Sequence, residues 1–184
     1  MLNQGILRRL ARFARDRRGV SAVEFAFIAP ALIGLYLGCA EISDGVAADR
    51  KVSLIVDAVA NLSAQVTTIS SSDMTNILNA ATSIIAPYSA ANLKTTVSCL
   101  KVDANGNVKV AWSATLNGTV RATGSSVSIP SALAVPNTQH LLGEASYAYT
   151  PTVGYTITGT LNLSDKMYMS PRITTPIYNG VACT

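Results

Sequence analysis

Charge is scarce in this chain. Only 13% of its 184 residues are Asp, Glu, Lys or Arg, about half the share usual in a soluble domain. A single His and three Cys supply too few ligands for most multi-ligand zinc sites, so no metal is expected. Aromatic residues at 6% are too sparse for a surface that stacks bases, and no nucleic-acid partner is expected. No Gly-rich loop follows a strand-like run to cradle a phosphate, and no Gly-x-Ser-x-Gly surrounds a serine. The acids are too scattered to nominate a carboxylate pair, and His140, between Gln139 and Leu141, has no Cys placed to use it as a base. These absences argue against an enzyme and against a bound cofactor.

Apolar residues, by contrast, make up 49% of the chain, and the mean hydropathy is +0.33. The charges that exist are unevenly placed. Arg8, Arg9, Arg12, Arg15, Arg17 and Arg18 put six of the 14 basic residues in the first 18 positions, with Asp16 the only acid among them. The other 166 residues hold eight bases against nine acids, so the basic pI belongs to a short tail. Directly after that tail, residues 20–40 read VSAVEFAFIAPALIGLYLGCA, with Glu24 the one charge. As a helix these residues span roughly 31 Å, close to the hydrocarbon thickness of a bilayer. Arginines immediately before the span hold the N-terminus in the cytoplasm and place the rest of the chain on the far side.

Several processing routes suit such a segment. A secretory signal has a shorter apolar core, of about 7–15 residues. A lipoprotein signal would use Leu37-Gly38-Cys39, but Tyr36 stands where Leu is preferred. Glu24 gives a third lead, because a carboxylate within a membrane span costs about 2.5–3.5 kcal/mol on insertion scales. Near the cytoplasmic end it can snorkel to the headgroups. Alternatively, cleavage after Gly19 makes Glu24 the fifth residue of the mature chain.

The run Arg17-Arg18-Gly19-Val20-Ser21-Ala22-Val23-Glu24-Phe25, followed by an apolar stretch with Pro30, resembles the prepilin-peptidase site of type IV pilin-like proteins. More specifically it resembles the TadE-like family of Tad (tight adherence) pilus assembly proteins, over residues 17–45. A looser similarity to that family's C-terminal strands covers Glu144 to Pro151 and Leu161 to Arg172. The resemblance implies that a prepilin peptidase cuts between Gly19 and Val20 and leaves the apolar helix on the mature protein. It also implies that Glu24, with Phe25 beside it, pairs with the N-terminal amine of a neighbouring subunit and sets register during assembly. A carboxylate one turn from such an amine compensates it most where both are desolvated. Partners implied in this way are the peptidase, other pilin-like subunits, the inner-membrane assembly platform and membrane lipid. Pro30 removes one backbone bond inside the span, giving either a bend useful for packing or a local kink. Gly34 and Gly38 form a Gly-x-x-x-Gly that permits close helix approach.

Beyond the span, Val46, Val52, Ile55, Val56, Val59 and Leu62 recur at helical spacing opposite Asp44, Asp49, Arg50, Lys51 and Asp57. One helix from about Val20 to Val66 is expected, then a break and N-cap at Ser70-Ser71-Ser72-Asp73 and a second helix to Pro87. Strands follow over Thr95 to Val102 and Val108 to Ala114, joined through Asn105-Gly106, a strong hairpin signal. Two more are expected at about Glu144 to Thr150 and Tyr155 to Met169. Cys39 reads as a reduced packing residue. Cys99 and Cys183 are either two free thiols or, in an oxidising periplasm, a disulfide that ties down the C-terminus.

The expected architecture is α+β: a long N-terminal helix, transmembrane and then amphipathic, packed on a small antiparallel sheet in the manner of pilins. Residues 1–19 are a basic cytoplasmic leader to be removed, 20–42 a transmembrane helix, 43–66 its continuation and 67–184 a periplasmic domain. The function implied is that of a minor pilin or pseudopilin, in the inner membrane or carried into an extracellular pilus. The alternative is an unprocessed, single-pass periplasmic binding or scaffold protein of the cell envelope.

Overall fold

The computed structural model describes residues 19–151, 154, 158–173 and 175–184. All of the expected leader except Gly19 therefore lies outside the described residues. Helix α1 runs Val20–Ala64 without a break, 45 residues including Pro30, a length of roughly 68 Å. Its second half is two-faced. Val52, Ile55, Val56 and Val59 are buried, while Asp49, Arg50 and Asp57 face outward. It ends two residues short of the expected Val66, and a two-residue strand β1 (Thr68–Ile69) follows.

Helix α2 (Ser71–Ile85) starts where its cap signal lies. The Ser70 hydroxyl accepts from the Asp73 amide at 3.2 Å, and the Asp73 carboxylate accepts from the Ser70 amide at 3.0 Å. This reciprocal pair satisfies two amides that the first turn leaves without partners. The buried face of α2 is Met74, Leu78, Ala81 and Ile85. At its other end Lys51 of α1 donates to the carbonyls of Ile84 and Ala86, at 3.0 and 2.7 Å. A cation there meets unpaired carbonyls at the negative end of the helix dipole.

Strands β2 (Leu93–Val102), β3 (Val108–Leu116), β4 (Gln139–Tyr149) and β5 (Leu161–Met169) form an antiparallel sheet in the order β3-β2-β4-β5. The β2–β3 hairpin turns at the expected place: Asp103 Oδ1 accepts from the amides of Asn105 and Asn107, and Gly106 takes φ +82°. Positive φ at that position is nearly free for glycine alone. Strand β4 begins five residues before the expected Glu144. The additional stretch pairs with the far half of β2 and buries Leu141 on one face and Leu142 on the other. Strand β5 begins at Leu161, later than expected: residues 158–160 are not strand, with Gly159 at φ +91°, and residues 155–157 lie outside those described.

A second, three-stranded sheet was not expected: β1 pairs in parallel with β6 (Ile177–Tyr178), which pairs with β7 (Val181–Ala182). It carries the C-terminus to Cys183, which is disulfide-bonded to Cys99 of β2 with the two Cα atoms 5.9 Å apart. The main core fills the space between α1, α2 and the inner sheet face. A smaller core of Leu100, Val110 and Leu142 lies on the outer face under Val127 and Ile129 of the β3–β4 connection. The α+β arrangement of a long apolar N-terminal helix and a small antiparallel sheet is thus as expected.

Candidate functional site

The two halves of α1 have opposite surroundings. From Glu41 onward the helix lies on the sheet; before it, the helix projects alone. None of its most apolar 18-residue stretch is buried. Phe25 is 67% exposed, Phe27 80% and Leu35 66%. With Ile28, Leu32 and Ile33 also exposed, and about 100° between successive residues, the apolar side chains encircle the axis. A core helix of a soluble protein buries one such face. This one has no covered face and is long and apolar enough to cross a membrane.

The residues singled out from the sequence lie in order along this projecting half. Gly19 is the N-cap with an ordinary φ of −78°, and a Cβ built on it would meet nothing within 4 Å. Nothing among the described residues calls for glycine there. Val20 is the first helical residue. Glu24 is therefore its i+4 neighbour on the same face, about 5–6 Å away between Cβ atoms. Glu24 and Phe25 are both exposed, and Pro30 lies inside unbroken helix. Gly34 and Gly38 are half-exposed and share a face with Glu41, Gly45, Ala48 and Val52, which are buried against the body. The small-residue face that seats α1 on the sheet thus continues into the projecting half. Cys39 is exposed within the helix.

Where α1 leaves the body, three tyrosines and an acid make a collar. Asp44 Oδ1 accepts from the Tyr88 hydroxyl at 2.7 Å, and Oδ2 accepts from the Tyr149 hydroxyl at 2.9 Å. The Tyr88 ring meets Tyr149 edge-on at 6.0 Å and Tyr147 at 6.1 Å, separations typical of favourable aromatic pairs. Burial raises the Tyr88 hydroxyl well above the ordinary phenol range, and its bond to Asp44 adds to the effect. The same causes push Tyr149 up to about 12, helped by the negative charges of Asp44 and of buried Glu41. The collar joins α1, the α2–β2 connection and β4. Sequence reasoning placed Asp44 on the wet face and did not find this cluster. Its partners lie 44 and 105 residues away, beyond the reach of local pattern. The Tyr-Ala-Tyr spacing of 147–149, which puts both rings on one strand face, was the only hint.

His140 has a structural setting: its Nε2 lies 2.9 Å from the Leu133 carbonyl and 3.2 Å from the Thr138 hydroxyl, tying the β3–β4 connection to β4. Among the described residues, no three of His, Cys, Asp and Glu come together as a metal site. Comparison with known proteins gives no match: no family model, no curated protein and no solved structure is similar to this chain.

Proposed function

We propose that this chain is a minor pilin or pseudopilin of the TadE-like kind, taking part in assembly of a Tad-type type IV pilus. It is made with a basic cytoplasmic leader, cut after Gly19 by a prepilin peptidase and held in the inner membrane by residues 20–40. Its body lies in the periplasm, where an oxidising milieu suits the Cys99–Cys183 bond. The observation that carries this reading is the start of α1. The helix begins at Val20, the residue that cleavage would make the new N-terminus, and the only charge in the uncovered span stands four residues on. A lipoprotein cut before Cys39 would sever a continuous helix just ahead of the part that seats it on the sheet.

The chemistry follows from that start. Cleavage exposes an α-amine at the N-terminal end of a helix, where the dipole already disfavours positive charge. A carboxylate at Glu24 compensates an amine held in low dielectric, from its own chain or from a neighbour entering beside it. An unpaired partner there is costly, so pairing selects one register. Glu24→Ala is expected to leave leader cleavage largely intact and to abolish assembly. Pili at wild-type number in that variant would contradict the proposal.

A further inference from the structure

We infer that the outer face of the sheet carries a binding groove for an acidic polysaccharide, a sugar chain bearing carboxylates along its length. The groove lies on the face opposite α1, so membrane insertion and helix packing leave it open. Register sets its floor. Thr96, Glu144 and Lys166 stand in one cross-strand row over β2, β4 and β5, and Lys94, Ser146 and Ser164 stand in the next. The segment after β3 supplies a wall of Gly118, Thr119 and Arg121, and the open groove has a volume of about 610 Å³, within the size range of ligand clefts.

The wall is held firmly to the floor. Arg121 donates to Glu144 from Nε at 3.0 Å and from Nη2 at 2.7 and 2.8 Å, a bidentate grip. A Cβ on Gly118 would come within 2.6 Å of the Thr115 hydroxyl, which itself pairs with the Thr96 hydroxyl at 2.9 Å. A side chain at Gly118 would therefore have to displace that hydroxyl.

Charge and chemistry then select the occupant. Asp165 borders the groove, but its carboxylate turns to the other face and accepts from Ser53 of α1 at 2.6 Å. The groove-facing charges are Lys94, Lys166 and Arg121 against Glu144 alone, whose oxygens Arg121 already occupies. Lys94 and Lys166 are exposed, and the groove attracts anions. Its one apolar side chain, Ala145, belongs to the inner core. Peptide ligands take most of their affinity from large side chains in desolvated pockets, and none is offered here. Hydroxyls from Thr119, Ser146 and Ser164 suit a hydroxylated chain instead. Single exposed ion pairs are weak, so a polymer that presents several carboxylates is needed to reach useful affinity.

This inference goes beyond processing and assembly and does not depend on them. The test uses the full-length protein in detergent micelles and a fluorescent polygalacturonate oligomer, read by anisotropy at low salt. Wild type is expected to bind, and Lys94→Gln/Lys166→Gln to bind at least tenfold more weakly with unchanged circular dichroism and melting temperature. Neutral dextran should not compete, and polyglutamate of equal length should compete at least tenfold less well than unlabelled polygalacturonate. No binding by wild type, equal binding by the double variant, or equal competition by polyglutamate would each overturn it.

Discussion

At the residue scale, two carboxylates on α1 have contrasting settings. Glu24 has no hydrogen-bond or ion-pair partner among the described residues. Asp44 is engaged by two tyrosines. Hydrogen bonds to charged groups are worth about 1.5–3 kcal/mol each, so Tyr149→Phe is expected to lower stability by about 1–2 kcal/mol in chemical denaturation. The collar also predicts behaviour in alkali. Both phenols have folded-state pKa values raised above about 10, the ordinary value. The stabilisation they give is complete below pH 10 and is lost as pH rises toward about 12. Tyrosinate absorbance should show Tyr88 and Tyr149 titrating late, and Asp44→Asn should bring them back part of the way toward ordinary phenols. Glu24 was legible in the sequence because a charge stands out in an apolar run. The collar was not, because its members meet only after the chain has folded back on itself.

At the element scale, helices were the more legible parts. Val20–Ala64 differs from expectation by two residues at one end, since the apolar run and the heptad-like stripe both mark it strongly. The Ser70–Asp73 capping box was readable because its chemistry is local. Ser70→Ala should cost about 1 kcal/mol. Its hydrogen bonds to Ser70 hold the Asp73 carboxyl below its usual range. The cap is therefore fully present above about pH 4 and fades as acid protonates Asp73, which a far-UV circular dichroism titration of wild type against Asp73→Asn would show. The seat of α1 on β4 depends on Gly143, where a Cβ would come 3.0 Å from the Val56 carbonyl and 3.1 Å from the Ala60 Cβ. Gly143→Ala should force the helix outward and destabilise by about 1–3 kcal/mol. No local signal marks that glycine, because the crowding comes from a helix more than eighty residues earlier in the chain. Strands β6 and β7 were likewise invisible, as two residues cannot show a period.

At the scale of the whole molecule, the scarcity of charge and the basic pI have separate sources. The apolarity includes the uncovered first half of α1, and the basicity lies in the first 18 residues. The Cys99–Cys183 bond closes a loop with a sequence separation of 84 and fixes a C-terminus otherwise held by short strands. Chain-entropy reasoning gives about 4 kcal/mol for such a loop. Reductant, or Cys183→Ser, should lower the melting temperature of the body by a corresponding amount while leaving membrane attachment unchanged. Cleavage after Gly19 is read most directly from the N-terminal sequence of the mature protein extracted from membranes of cells that express a prepilin peptidase. It is expected to begin Val20-Ser21-Ala22-Val23-Glu24, and a bulky residue in place of Gly19 is expected to block the cut. A mature chain that keeps its arginines would contradict the account and point to an unprocessed envelope anchor, and one that begins at a lipid-modified Cys39 would contradict it as a lipoprotein.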